Sequence, residues 1–477
     1  MNTEIKNVYF LGIGGIGMSA LARYFLAKGY SVGGYDKVQT KLTEQLAEEG
    51  MDIHYVDDIN IIQPKFLDKT QTLIVYTPAV PEHLGEFVYF KENNFSLMKR
   101  AKVLGEIANA QNCIAIAGTH GKTTISTITA HILNCSHLKC TAFLGGISSN
   151  YGTNCIININ SNLVVAEADE FDRSFLNLFP NTAVISSVDA DHLDIYGNEQ
   201  ALLTSFSDFA SQINDNGYLI IKKGISLNKY LKTSVKQYTY ALDDNTADFY
   251  AANIVLNNGL YTFDFVGINA LIIKDIKLGI PALFNVENAV AALAIASLQQ
   301  VNHNDMKMAL ETFTGIKRRF QIHFQKENQI YIDDYAHHPQ ELTAAIVAAR
   351  HIFPNFKITG IFQPHLFSRT KDFASEFAKS LSLLDELILL DIYPARELPL
   401  EGVSPWIIFT NVTCKKKAYM KFDDVLEFLK ADPTKEVVMT LGAGDIDLMV
   451  PFIIDIFENP RVIDTSSSFF NDDNSED

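Results

Sequence analysis

The sequence predicts an α/β protein of three domains. Apolar strand-like runs alternate with helical stretches, two of those strands end in glycine-rich turns, and the alternation restarts twice along the chain. The first domain reads as Rossmann-like, the second as a phosphate-loop nucleotide fold on a mostly parallel sheet, and the third as another Rossmann-like α/β unit. A length of 477 residues accommodates this, since domains usually run to ~100–200 residues.

In the first section Val8-Tyr9-Phe10-Leu11 is a strand and Gly12-Ile13-Gly14-Gly15-Ile16-Gly17 a turn. Met18, Leu21, Phe25 and Leu26 then share one face of a helix. Strands follow at 31–35 and 72–76, the first ending in Asp36 and the second at Thr77-Pro78. The second section opens on a buried strand, 113–117, and a second glycine turn, with a helix over 124–133. Further strands are expected at 162–166 and 182–188, and an alanine-rich helix at 288–298. The third section starts after Arg318-Arg319-Phe320, with strands at 330–332 and 357–362. Boundaries near 100 and 318 give domains 1–100, 101–317 and 318–477. The polar, acidic end from about 466 is expected to fray.

Composition narrows the function classes. Hydrophobic residues make up 47% and charged residues 20%, an ordinary globular balance. A formal net charge of -17, with no basic run beyond Lys415-Lys416-Lys417, speaks against nucleic-acid binding, which needs clustered cations. The five cysteines form no CxxC pair and no dense even pattern, so neither a zinc knuckle nor a disulfide framework is expected. No apolar run reaches the ~18 residues of a membrane span, and the first ten residues leave no room for a cleavable leader. We therefore expect a soluble cytoplasmic protein with no nucleic-acid partner and no membrane insertion.

The second glycine turn, Gly118-Thr119-His120-Gly121-Lys122-Thr123-Thr124, misses the strict phosphate-loop pattern, because Ile116 stands where the leading glycine belongs. Its mechanical requirements are met nonetheless. A buried strand enters, Gly118 and Gly121 let backbone N–H groups face an anion, and a helix amino terminus follows. Lys122 can reach terminal phosphates, and Thr123 can place its hydroxyl on Mg²⁺. Beyond the next strand, Glu167-Ala168-Asp169-Glu170-Phe171-Asp172 offers oxygen ligands for a hard cation, Glu167 first among them. His192, within Asp189-Ala190-Asp191-His192-Leu193-Asp194, is a candidate ligand or base. In the first domain Asp36 lies at the spacing of a dinucleotide fingerprint, so a nicotinamide-dependent dehydrogenase is a rival reading. The same turn geometry binds any diphosphate, however, and a dehydrogenase needs no second phosphate loop.

Together with Asn285-Val286-Glu287-Asn288-Ala289, Arg318-Arg319-Phe320, Asp334-Tyr335-Ala336-His337-His338-Pro339, Gln363-Pro364-His365, Asp391-Ile392-Tyr393 and Gly442-Ala443-Gly444-Asp445, these segments resemble the Mur ligase family from about residue 8 to 447. The resemblance implies an ATP-dependent ligase of peptidoglycan precursor synthesis. It would join L-alanine to the carboxylate of UDP-N-acetylmuramate through an acyl phosphate, releasing ADP and phosphate. The first domain would hold the UDP-sugar through Gly12, Gly14, Gly15, Gly17, Met18, Ser19, Asp36 and Thr77. The second would hold ATP through Gly118 to Thr124 and Asn288, with Thr123, Glu167 and His192 on Mg²⁺ or Mn²⁺. From the third, Arg319 and Asp334 would serve the nucleotide, while His337, His365 and Arg369 line the reaction centre. Lys122, His192, Arg319 and His337 would be the catalytic set.

Two positions depart from the family pattern: Phe284, where histidine is common, and Leu366, where a basic residue is common. Leu366 bears on how the amino acid's carboxylate is held. A relative that attaches a recycled peptide to the same UDP-sugar is the nearest alternative. The nicotinamide-dependent dehydrogenase is the more remote alternative, and a phosphate-loop switch or binding protein is a third.

Overall fold

The computed structural model describes residues 4–189, 193–228, 231–395, 397–432 and 434–459. His192 and the acidic end from 466 lie outside these. The chain separates into two compact units, one holding the first two predicted domains and the other essentially residues 315 onward.

Five parallel strands form the first sheet: β1 (Asn7–Leu11), β2 (Ser31–Tyr35), β3 (Asp52–His54), β4 (Thr72–Tyr76) and β5 (Ser96–Lys99), in the order β3-β2-β1-β4-β5. Every residue of β1 is buried, as a central parallel strand covered on both faces requires. The order reverses between β1 and β4. The crevice outside their carboxyl ends, where such sheets bind ligands, therefore receives both the glycine turn after β1 and Thr77 after β4.

The same unit carries a sheet of ten strands: β6 (Asn112–Ala117), β7 (Thr141–Phe143), β8 (Cys155–Ile156), β9 (Leu163–Ala168), β10 (Thr182–Ile185), β11 (Tyr218–Lys222), β12 (Lys236–Ala241), β13 (Phe249–Asn257), β14 (Leu260–Val266) and β15 (Ile272–Lys277). Their order, β15-β14-β13-β12-β11-β10-β6-β9-β7-β8, sets β6 between β9 and β10. The turn after β6 is thus framed by the ends of both neighbours. A continuous apolar core joins the two sheets, with Val8, Leu21, Phe25, Cys113, Ala166 and Phe206 in one cluster.

In the other unit the strands are β16 (Gln321–Lys326), β17 (Gln329–Asp334), β18 (Ile358–Phe362), β19 (Glu386–Leu389), β20 (Lys416–Tyr419) and β21 (Val437–Leu441), in the order β16-β17-β21-β18-β19-β20. Only the β16–β17 pair is antiparallel, so the carboxyl ends of β17, β18, β19 and β21 lie along one edge.

Several element ends differ from the sequence expectation. Glu167 is part of β9, paired with Ile116, and not the first residue after it. Polarity mimics a strand end there, but the parallel ladder continues because the Glu167 carboxylate is hydrogen-bonded. The alanine-rich helix begins at Leu283, a full turn earlier than expected, which sets Phe284, Asn285 and Asn288 in its first turns. β10 stops at Ile185, and 186–189 continue as loop over the phosphate turn.

Beneath the first sheet, a buried polar group carries a stability consequence. Glu86 has no exposed surface, and Tyr9 Oη lies 2.7 Å from its Oε2 and 2.6 Å from His54 Nε2. Burial pushes the Glu86 carboxyl from its ordinary 4.5 up to about 7. The native state then binds the proton more tightly than the unfolded chain does. Its contribution is complete below about 4.5 and is lost as pH rises through about 7, worth up to about 3 kcal/mol at ~1.4 kcal/mol per unit. Urea unfolding at pH 5 and pH 8 should show Glu86→Gln losing less stability than the parent on going to the higher pH. An identical loss in both proteins would contradict a protonated Glu86.

Candidate active site

The glycine turn after β1 is open toward solvent. The helix Ile16–Ala27 starts behind Gly15 with no side chain capping it, which leaves its first N–H groups available to an anion. Asp36, at the end of β2, already holds the turn: its Oδ2 accepts the Gly14 N–H at 2.7 Å. Thr77 stands beside Gly12 across the crevice. Met18 and Ser19 turn inward and are buried, so the turn's surface is made by Gly12, Gly14, Gly15 and Gly17 together with the exposed Ile16.

The second turn is more tightly built. Gly121, at φ +82°, is the left-handed residue before the helix Lys122–Cys135, and a Cβ there would press on Asn288 Oδ1 at 2.8 Å. Asn288 thereby lies against the phosphate turn. From the end of β10, Ser187 Oγ accepts the His120 N–H at 2.6 Å and Ser186 Oγ donates to the His120 carbonyl. These two serines shape the turn, and nothing in their sequence surroundings flagged them.

Lys122 is only 14% exposed, so its charge needs partners. Its Nζ donates to the Gly118 carbonyl at 2.6 Å and to both oxygens of Glu170, at 2.9 and 2.7 Å. Burial opposes the ammonium charge, but the carboxylates of Glu170, Asp169 and Glu167 overcome it and hold the Lys122 pKa raised. Glu170 itself is pushed upward, because burial outweighs the pull of Lys122. Sequence reasoning placed Glu170 within an acidic cluster without giving it this task.

Glu167 points at the same turn. Its Oε1 accepts from Thr123 Oγ1 at 3.1 Å and its Oε2 from the Gly145 N–H at 2.9 Å. A hydroxyl and a carboxylate side by side suit a hard cation that takes its other ligands from water and nucleotide phosphates. Among the described residues no group of three or more His, Cys, Asp or Glu side chains forms a metal cage. Arg100 also went unnoticed in the sequence: its guanidinium lies against Gly17 and reaches Asp169 at 3.6 Å.

In the other unit, the strand ends assemble a basic, aromatic cluster. Arg318 and Arg319 both lie over the Tyr335 ring, at 5.1 and 5.2 Å from its centre, and Arg318 binds the Gly442 carbonyl at 2.6 Å. His337, His365 and Tyr393 follow in sequence across the edge, with ring centres 5.9 and 5.7 Å apart. Burial drives the His337 pKa down to about 4, so its imidazole is neutral at physiological pH. Its Nδ1 lies 2.9 Å from the Tyr335 carbonyl, which can only accept. The ring proton therefore sits on Nδ1, and Nε2 is the basic nitrogen.

Asp334 spends both oxygens on backbone N–H groups, those of Phe320 and Ala336, each at 2.7 Å. Burial raises its pKa to about 7. Its direct effect is to fix the segment carrying Arg318, at φ +62°, and Arg319. Leu366, at φ +70°, is a branched residue in a region L-residues avoid, at the mouth of this edge.

Three family models match the chain in succession: "Mur ligase family, catalytic domain" over residues 7–112, "Mur ligase middle domain" over 116–296, and "Mur ligase, glutamate ligase domain" over 318–444. The UDP-N-acetylmuramate--L-alanine ligase of Parabacteroides distasonis is 52% identical over 447 residues, covering 94% of this chain and 96% of the relative. The enzyme of the same name from Flavobacterium psychrophilum is 48% identical, covering 94% and 97%. Among solved structures, the UDP-N-acetylmuramate-alanine ligase of Thermotoga maritima superposes with a TM-score of 0.79 at 26% identity, covering 95% of this chain and 100% of that one. A murein peptide ligase from Psychrobacter arcticus shares the fold, with a TM-score of 0.70 at 21% identity over 96% and 100% of the two chains.

Gly145 offers a sharp test of the Glu167 geometry, because a Cβ there would overlap both carboxylate oxygens. Gly145→Ala should displace Glu167 and weaken Mg²⁺-dependent ADP binding about 10- to 100-fold by calorimetry. Unchanged binding would remove Glu167 from the cation site.

Proposed function

This chain belongs to the Mur ligase family, and from that premise we propose that it is the ATP-dependent ligase that joins L-alanine to UDP-N-acetylmuramate. The reading rests on one observation above the others. A single unit carries both an open diphosphate turn at the switch point of its first sheet and a phosphate turn with a buried lysine and adjoining carboxylates on its second. Two phosphate-bearing substrates have separate cradles. We assign residues 1–100 to the UDP-sugar, 101–317 to ATP and 318–477 to the closing, amino-acid-bearing domain, and we place the reaction in the cytoplasm.

The chemistry follows from the weakness of a carboxylate as an electrophile. Transfer of the γ-phosphoryl group of ATP onto the sugar-linked carboxylate gives an acyl phosphate and ADP, and attack by the alanine amine expels phosphate. Lys122 binds the transferring phosphates, exchanging its Glu170 partner for them, while the turn's N–H groups fix their orientation. Thr123 and Glu167 would hold Mg²⁺, which would neutralise phosphate charge when bound; Mn²⁺ would fit the same oxygen donors, and His192 is assigned to the metal as well. Asn288 is assigned to the adenine side of the phosphate turn.

From the third domain, Arg319 serves the developing charge and Asp334 fixes the loop that carries it. His337, kept neutral by burial, offers Nε2 as a hydrogen-bond acceptor to the attacking amine, and His365 and Arg369 are assigned to the substrates there. Leu366 leaves the alanine carboxylate to partners other than its own side chain. On the UDP-sugar, Gly12, Gly14, Gly15 and Gly17 present the turn, Asp36 and Thr77 flank it, and Met18 and Ser19 support it from beneath.

Purified protein should release ADP and phosphate only when UDP-N-acetylmuramate and L-alanine are both present, and Lys122→Ala should reduce that rate at least about 10³-fold. ATP hydrolysis that proceeds equally without the sugar, or AMP as product, would overturn the ligase reading. Faster turnover with a recycled tripeptide than with L-alanine would favour the peptide-adding relative.

A further inference from the structure

The two nucleotide turns are bridged by hydrogen bonds through one buried residue that neither turn contains. Asn154 has no exposed surface, and its Nδ2 donates to the Ile16 carbonyl at 2.5 Å and to Ser19 Oγ at 2.9 Å, at the start of the helix behind the diphosphate turn. Its Oδ1 accepts from Arg23 Nη1 at 2.6 Å, and Arg23 is held in turn by Glu49. On its other side, the Asn154 backbone carbonyl accepts the Leu144 N–H at 2.9 Å. The next residue, Gly145, donates to Glu167, which takes the Thr123 hydroxyl of the phosphate turn.

The bridge is stiff. Residues 144–154 close the antiparallel β7–β8 hairpin and are braced internally by the Ser148 N–H on the Thr153 carbonyl at 3.0 Å and the Gly152 N–H on the Ser148 carbonyl at 2.8 Å. Asn150 fixes the hairpin's far end, donating to the Thr312 carbonyl at 2.8 Å and accepting the Thr314 N–H at 2.9 Å. A hairpin pinned this way moves as a body. Movement of the Ile16–Ser19 helix start must therefore either carry the Gly145 N–H with it or break buried hydrogen bonds.

We propose that Asn154 is a positioning residue that couples the two nucleotide sites: occupation of the diphosphate turn sets the Glu167–Thr123 geometry through the 144–154 hairpin, and nucleotide at the phosphate turn tightens the diphosphate turn in return. Reciprocity is a thermodynamic necessity for coupled binding. The proposal rests on the assignment of the first turn to a uridine diphosphate and the second to ATP. Asn154 touches no substrate, and its effect lies in the energy linking the two sites.

The test uses the intact protein with Mg²⁺, UDP and ADP. Calorimetry of ADP binding with and without saturating UDP should give, for the parent, a tightening of about five-fold or more. Asn154→Asp keeps the shape and the Arg23 partner but cannot donate to the Ile16 carbonyl. It should bind each ligand alone within about three-fold of the parent while the tightening falls toward one. Asn154→Ala should do the same. In the unmodified protein, UDP alone should slow hydrogen exchange of the Leu144 and Gly145 amides, a readout that needs no variant. Tightening that persists in Asn154→Asp, or amides at 144–145 indifferent to UDP, would overturn the coupling. UDP that binds no site at all would overturn the assignment of the first turn as well, and the two failures are told apart by the parent's UDP titration.

Discussion

A lysine charge buried at the head of a helix is the constraint around which the first unit is organised. Lys122 cannot stay charged in its enclosed position without an anion, and in this structure Glu170 supplies both carboxylate oxygens. Glu170 comes from the segment just after β9, which the pairing of β6 with β9 brings beside the turn, while serines following β10 clamp the turn's backbone at His120. The ion pair also prepares the site for its substrate. Terminal phosphates bring negative charge to the same, already desolvated ammonium, so binding avoids stripping a free cation of water.

The fold class was legible because parallel strands buried on both faces are written as short continuous apolar runs, and β1, β4 and β6 are such runs closed by glycine or proline. Glu167 was harder to place, since a polar residue inside a strand looks like its end until the Gly145 N–H that satisfies it is known. The helix at Leu283 begins before its alanine-rich stretch because Phe284 packs on Phe320, a contact between residues distant in sequence. Strand β14 does alternate, burying Tyr261, Phe263 and Phe265, whereas β15 buries only Ile273 and Ile276 and is hard to tell from a loop.

The site divides in the same manner. That Lys122, Thr123 and Asp36 lie beside the two turns could be read from spacing, because each stands at a fixed offset from a glycine-rich loop. Ser186, Ser187, Arg100, Asn154 and the pairing role of Glu170 could not, since each acts through an approach between segments far apart in the chain. Asp334 sits between the two cases. Its segment was conspicuous, yet its oxygens prove to hold backbone N–H groups that aim the neighbouring arginines.

The central claim is that the phosphate turn delivers a phosphoryl group to a carboxylate and not to water. Carrying ¹⁸O in the carboxylate of UDP-N-acetylmuramate through a single turnover with L-alanine tests this directly. Mass analysis of the released phosphate should find one ¹⁸O per molecule, because the acyl phosphate keeps a carboxylate oxygen when the amine expels it. Phosphate free of label, with amide formed, would contradict the account.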